Sequence, residues 1–190
     1  MTLLVIGLFI FLGVHALPIT ANLRTALRER LGAGGYRSLF TAASAIGLGL
    51  IIYGYGLARQ DPTVLWLPPV WMKHVTFALM LPAFILLAAA YSPGKIKEKV
   101  RHPMLAAVKV WAFAHLLANG TLADLLLFGG FLAWAVADRI SVKRRERAGL
   151  ITVKGGPVRN DAIAVIVGVV AYIATLFWLH EWVIGVGLLS

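Results

Sequence analysis

The sequence contains no cysteine. That removes disulfides, thiolate nucleophiles, Cys-held iron–sulfur clusters and Cys-based zinc sites, and leaves histidine and carboxylates as the only metal ligands to consider. Charge is scarce as well. Asp, Glu, Lys and Arg make up 14% of the 190 residues, against about 25% in a soluble domain, which is too little polar surface to hold a chain of this size in water. Acids are the scarcest, 8 against 18 Lys and Arg, for a formal net charge of +10. A basic disordered tail, or a nucleic-acid binder built like one, would be poor in apolar residues, whereas 60% of these are hydrophobic. The composition is that of a membrane protein, and no nucleic-acid partner is expected.

Uncharged stretches run from Met1 to Leu23, Ser38 to Ala58, His74 to Gly94 and Ala162 to His180. Each is long enough to cross about 30 Å of hydrocarbon at about 1.5 Å per residue. A fifth, Val110 to Ala137, is interrupted only by Asp124 and is too long for one ordinary span. Basic loops stay on the cytoplasmic side, which decides how to count it. As a single crossing, it would put the cluster from Arg139 to Arg159 opposite the other basic loops. As a hairpin turning at Ala118-Asn119-Gly120-Thr121, it gathers three loops on one face. They hold Arg24, Arg28, Arg30 and Arg37; Lys95, Lys97, Lys99, Arg101 and Lys109; and Arg139, Lys143, Arg144, Arg145, Arg147, Lys154 and Arg159. That is 16 of the 18 basic residues, with Arg59 and Lys73 on the other side.

The expected fold is therefore an all-α integral membrane protein, a six-transmembrane-helix bundle forming one domain over residues 1–190, with both termini outside. The spans fall at about 2–22, 38–58, 74–92, 103–118, 121–137 and 162–181. The first lacks a basic residue before Arg24 and a small-residue cleavage site, so it is expected to stay as an anchor. The basic loops meet anionic lipid headgroups, the longest of them as an interfacial segment. Small residues at four-residue spacing, Ala45 and Gly49, Gly129, Ala133 and Ala137, and Ala164 and Gly168, are expected to let helices approach closely.

Each arm of the hairpin is about 25 Å long, short of the hydrocarbon thickness, so the Asn119-Gly120 turn is expected below the outer surface. Non-helical backbone at that depth must be shielded by protein or wetted by a cavity. Two outcomes follow: a small polar pocket lined by Asn119, Thr121 and Asp124, or a tight turn in which Asn119 or Thr121 caps the next helix.

Five histidines are the only plausible reactive set. His74, His102 and His180 fall at membrane interfaces, where polar or headgroup contacts are the default. His15 and His115 lie inside apolar helices, where an ionisable side chain is by default a functional candidate. Counted from Arg24 and Arg101, they sit about 13 Å and about 21 Å deep. That offset suits two ligands on opposite faces of a tilted planar cofactor better than a compact mononuclear metal site. Helical spacing puts Trp111 and Asn119 beside His115, and Phe11 beside His15, an apolar, aromatic lining that suits a porphyrin. Zinc needs three or four ligands, and no third candidate sits at matching depth. Plain hydrogen bonding of both imidazoles within the bundle, or a proton relay with Asp124 as the single intramembrane acid, are the alternatives.

The run Arg101-His102-Pro103-Met104-Leu105, then Trp111 to Gly120, then Leu127-Phe128-Gly129, closely resembles the NnrU family of bacterial membrane proteins. Gly13-Val14-His15, Gly32 to Phe40 and Asp138-Arg139-Ile140-Ser141 add to the resemblance, which covers essentially the whole chain. The resemblance implies a protein of the bacterial inner membrane, so the outer face on which the charge distribution places both termini is the periplasmic one. It also implies a role linked to nitric oxide and denitrification. The family is similar to the plastid zeta-carotene isomerase, a haem b enzyme that isomerises a cis double bond in a redox-dependent way. By motif, the isomerase's two haem-iron ligands fall on His15 and His115, while its Cys three residues before the second ligand is replaced here by Ala112. The implied cofactor is haem b, and the implied partners are nitric oxide or an apolar small-molecule substrate.

A more distant similarity runs to membrane methyltransferases that use an Arg-His-Pro motif to hold S-adenosylmethionine. Their downstream paired Glu residues are missing here, Glu146 being the only acid between Asp138 and Asp161. A cofactor-free structural or assembly factor is the non-enzyme alternative.

Overall fold

The structure, a computed structural model, describes residues 1–189. Among them every regular element is helical: α1 (Thr2–Ala16), α2 (Ala21–Ala58), α3 (Trp71–Tyr91), α4 (Lys95–Val100), α5 (Pro103–Ala118), α6 (Leu122–Arg147), α7 (Val158–Ala174) and α8 (His180–Ile184), with a π-helical segment at Thr175–Leu179 between the last two. Four helical stretches are long and apolar enough to cross a bilayer: Asn22–Ala58, Trp71–Tyr91, Leu122–Arg147 and Val158–Ile184. The chain is thus a membrane protein by length and composition of its helices. α1 and α5 are apolar too but shorter, 15 and 16 residues.

Several boundaries differ from expectation for identifiable reasons. α1 ends at Ala16 instead of 22: Leu17 keeps helical dihedrals, but Pro18 has no N–H with which to continue the hydrogen-bond ladder. The first basic loop is itself helical: α2 begins at Ala21 and continues to Ala58, interrupted at Gly32, whose φ of 69° and ψ of 169° only glycine adopts without strain. α6 runs about ten residues past the apolar segment and carries the basic cluster to Arg147. Pro103 opens α5, where its missing N–H has no helical partner to lose.

The chain divides into two compact units. The first holds Met1–Leu67 and Asn119–Lys143, the second Pro68–Ala118 and Arg144–Ser190. In the first unit α1 lies against α2 at backbone distance. A methyl group added to Gly54 would stand 2.3 Å from the Leu4 amide nitrogen, and one on Gly7 2.7 Å from that of Ile51. The seam on α2 runs through Gly47, Ile51 and Gly54, one helical stripe, and not through Ala45 and Gly49, which are exposed. Ala133 and Ala137 are exposed as well; α6 buries Asp124, Leu127, Phe128, Ala135 and Val142 instead. The expected Ala164 and Gly168 pair does mark a close approach, since a Cβ on Gly168 would lie 2.6 Å from the Ile85 Cα.

The turn before α6 is shielded by protein. Residues 63–66 run antiparallel to it, with Leu65 and Trp66 donating to the Gly120 carbonyl (2.8 and 3.1 Å), Leu122 donating to that of Thr63 (2.9 Å), and Val64 bridging Thr121. Thr121 and Asp124 close a capping box. The Asp124 amide donates to Thr121 Oγ1 (3.2 Å), while Asp124 Oδ2 accepts from the Thr121 amide (2.9 Å) and hydroxyl (2.6 Å). Tyr55 donates to Asp124 Oδ1 (2.5 Å). Of the two outcomes expected for this turn, a pocket lined by Asn119, Thr121 and Asp124 or a cap, the structure shows the cap, made by Thr121, with a bridge covering the turn. Open cavity space is found in the second unit instead.

Candidate ligand-binding site

In the second unit α3 packs on α5 and α7. Thr76, buried on α3, donates to the Ala114 carbonyl of α5 (2.8 Å) and lies within reach of the Met72 carbonyl of its own helix (3.0 Å). That contact ties the two helices together one residue before His115. Below it opens an apolar cleft of about 320 Å³, lined by Met80, Ala83, Phe84, Leu87, Ala107, Val108, Trp111, His115, Thr175 and His180. A second cavity of about 50 Å³ adds Thr76, Phe77, Tyr172, Leu176 and Leu188 and shares Met80, Phe84, His115, Thr175 and His180. The larger volume is at the lower end of the range of small-molecule sites.

His115 donates Nδ1–H to the Trp111 carbonyl one turn back (2.8 Å), and the two rings lie 5.4 Å apart. A carbonyl only accepts, so this bond puts a proton on Nδ1, which in the neutral ring leaves the lone pair on Nε2. The Trp111 and His115 neighbourhood expected from helical spacing is thus present. Asn119 follows the end of α5 and belongs to the first unit with the turn before α6.

His15 has the same local geometry in the first unit. Its Nδ1–H donates to the Phe11 carbonyl (2.8 Å), and the Phe11 ring stacks on it at 4.1 Å. Phe40 lies 5.1 Å away and Trp134 meets the imidazole edge-on at 5.9 Å, while the indole N–H donates to the His15 carbonyl (3.1 Å). The Phe11 and His15 pair is as expected; Phe40 and Trp134 come from distant sequence and carried no local signal.

His180, expected at a membrane interface, instead lines cavity space, which helical spacing did not signal. It shares both cavities with His115 and donates Nδ1–H to the Val186 carbonyl (2.9 Å). His74 is exposed beside Phe77 (6.4 Å). His102 Nε2 and Arg101 Nε both bond Glu146 Oε1, at 2.7 and 3.0 Å. Arg101 has φ of 68°, a conformation that costs a residue other than glycine about 1–3 kcal/mol and has to be held by its surroundings. Here Glu146 contributes to that hold. Nearby, Asp161 accepts from the amides of Lys95 (2.8 Å) and Ile96 (2.9 Å) and so caps α4. Among the described residues no group of three or more His, Asp or Glu is disposed to hold a metal ion.

The profile of one protein family, described as NnrU protein, matches residues 3–188. The chain belongs to the NnrU family. Comparison with curated proteins and with solved structures returns no match. Within this NnrU protein the match includes Arg101-His102-Pro103, both cavity histidines and the His15 cluster, so these features lie inside the family's sequence frame.

Proposed function

We propose that this NnrU protein is a multi-pass inner-membrane carrier of haem b, held at His115 in the apolar cleft of the second unit. The resemblance assigns His15 as the other ligand. The observation that carries the proposal is the fixed tautomer of His115: Nδ1–H is bonded to the Trp111 carbonyl, the second bond that metal-ligating imidazoles usually make to set ring orientation and raise basicity. His15 makes the corresponding bond to Phe11. The donor chemistry fits the group, because neutral imidazole is an ordinary axial ligand of haem and the cleft walls are hydrocarbon and aromatic.

When bound, haem supplies a one-electron couple and an iron site for a diatomic or an alkene. The chain's own residues do the rest. Met80, Phe84 and Leu87 exclude water from the cleft, Trp111 orients His115, and Thr76 holds α3 to α5 beside it. A redox or nitric-oxide-linked role, or a redox-gated isomerisation of an apolar substrate, would both use such a site. Six crossings with periplasmic termini complete the proposal. The 16 basic residues of the three loops, facing anionic headgroups in the cytoplasm, support that orientation. The Arg-His-Pro motif is engaged by Glu146, and no observation favours S-adenosylmethionine there.

The test is the visible spectrum of the detergent-purified full chain, with haem supplied during expression. A Soret band that survives purification and is lost in His115→Ala is expected. A colourless, folded wild-type protein that takes up no added haem would refute the proposal.

A further inference from the structure

From Pro62 to Met72 the chain carries no charge, although most of this stretch is the connection between α2 and α3 and not a helix. Its part in the first unit contains Val64, Leu65, Trp66 and Leu67, and all four side chains are exposed, Leu67 by 84%. A contiguous exposed apolar patch of this kind marks a surface that something other than water covers.

The backbone of the same segment is turned to the protein. The Leu65 and Trp66 amides donate to the Gly120 carbonyl (2.8 and 3.1 Å), and the Thr63 carbonyl accepts from the Leu122 amide (2.9 Å). The approach is so close that a Cβ on Gly120 would collide with the Trp66 carbonyl. Pro62, Pro68 and Pro69 have no N–H to satisfy. Lipid penalises exposed peptide groups and accepts apolar side chains, and this segment divides them in that way.

Depth follows from α6, which belongs to the same unit. From Leu122 to Asp138, the first charge after Asp124, the helix rises about 24 Å, against about 30 Å of hydrocarbon. With the basic end of α6 at one surface, Leu122 and the segment hydrogen-bonded to it stand at the inner edge of the opposite headgroup layer. The patch also adjoins the apolar faces of two spans. Leu57, in the last turn of α2, and Leu125, one turn beyond the bridged Thr121, are exposed as well. Arg59 and Asp61, exposed just before the uncharged stretch, are the charges that reach headgroups.

We infer that residues 63–67 are an interfacial insertion, lying at the boundary between headgroups and acyl chains with Val64, Leu65, Trp66 and Leu67 against lipid. Trp66 is the aromatic anchor that such boundaries favour, and the segment holds the 119–121 turn at its depth. In the six-crossing orientation proposed above, on which the choice of leaflet rests, this is the outer leaflet. Haem plays no part in it.

Because the chain has no cysteine, single labels can be placed at will. The test attaches a nitroxide to Val64→Cys and Leu67→Cys of the full chain in phospholipid vesicles, with Gln60→Cys and Ile52→Cys as exposed references before the segment and within the α2 span. Spin relaxation by oxygen, which concentrates in acyl chains, is compared with relaxation by a water-soluble nickel chelate. The expected ratio of oxygen to nickel effect at positions 64 and 67 is several-fold above that at position 60 and approaches that at position 52. Ratios at 64 and 67 equal to that at 60 would place the segment in water and overturn the inference. Labels at 64 and 67 that neither reagent reaches would overturn it too, since a second copy or another protein would then cover the patch. Reaction of Gln60→Cys with a membrane-impermeant maleimide in cells with a permeabilised outer membrane checks the leaflet separately. Reaction only after the inner membrane is broken overturns the proposed orientation and the outer-leaflet assignment, while the ratios at 64 and 67 still decide whether the segment is inserted.

Discussion

Asp124 is a carboxylate buried in the apolar part of the first unit, and it is satisfied on both oxygens: Tyr55 on one, the Thr121 amide and hydroxyl on the other. Removing it leaves buried donors without a partner, at about 1–3 kcal/mol for each group. Removing only the cap hydroxyl costs about 1 kcal/mol. Asp124→Ala is therefore expected to lower the unfolding midpoint in detergent well below that of Thr121→Val, with Tyr55→Phe the mildest of the three. Equal midpoints for Asp124→Ala and wild type would show that the network contributes nothing. At this scale much was visible in the sequence. Thr121, two residues and Asp124 spell a capping box, and the i−4 partners of His15 and His115 follow from helical spacing alone. Tyr55, Phe40 and Trp134 were not visible, because each reaches its partner from a different helix.

At the scale of elements, the helices follow from uninterrupted apolar runs, while their ends and seams depend on single residues. Gly54 and Gly168 sit where two backbones nearly touch, but Gly49 faces open space. Overpacking a filled seam costs about 1–3 kcal/mol or more. Gly54→Leu and Gly168→Leu should each depress thermal stability in detergent, and Gly49→Leu should leave it within experimental error. A destabilised Gly49→Leu with a tolerated Gly54→Leu would reverse the assignment of the α1 and α2 seam. Four-residue spacing of small side chains identified one close approach, at Gly168, and misplaced another, at Gly49. Such spacing marks every stripe on which small residues recur, and only the neighbouring helix selects the stripe that is used. The π turn at Thr175–Leu179 left no mark in the sequence either, since Thr-Leu-Phe-Trp-Leu reads as ordinary apolar helix.

For the whole molecule, charge sets the orientation. Moving Lys or Arg across a bilayer is costly, and the loops that keep them stay on the side of synthesis. With six crossings, reporter domains fused after Ser190 and within the loop around Gln60 are expected to be active only in the periplasm, and one inserted near Gly155 only in the cytoplasm. A cytoplasmic signal from the carboxyl-terminal fusion, together with a periplasmic one at Gly155, would mean that the 119–121 turn is not a membrane hairpin.

The sequence by itself determined that the chain is a membrane protein of the NnrU family, where its apolar helices lie and which face of α5 carries His115. Those properties depend on composition, motif order and periodicity, all local or additive along the chain. Tertiary structure alone decided that Tyr55 completes the Asp124 network, that Gly47, Ile51 and Gly54 form the seam, and that His180 shares a cleft with His115. Each of these depends on which distant backbone comes within a few ångströms. In the case of His180 it depends also on a one-residue change of helical register that rotates the side chain onto a face the sequence does not assign to it.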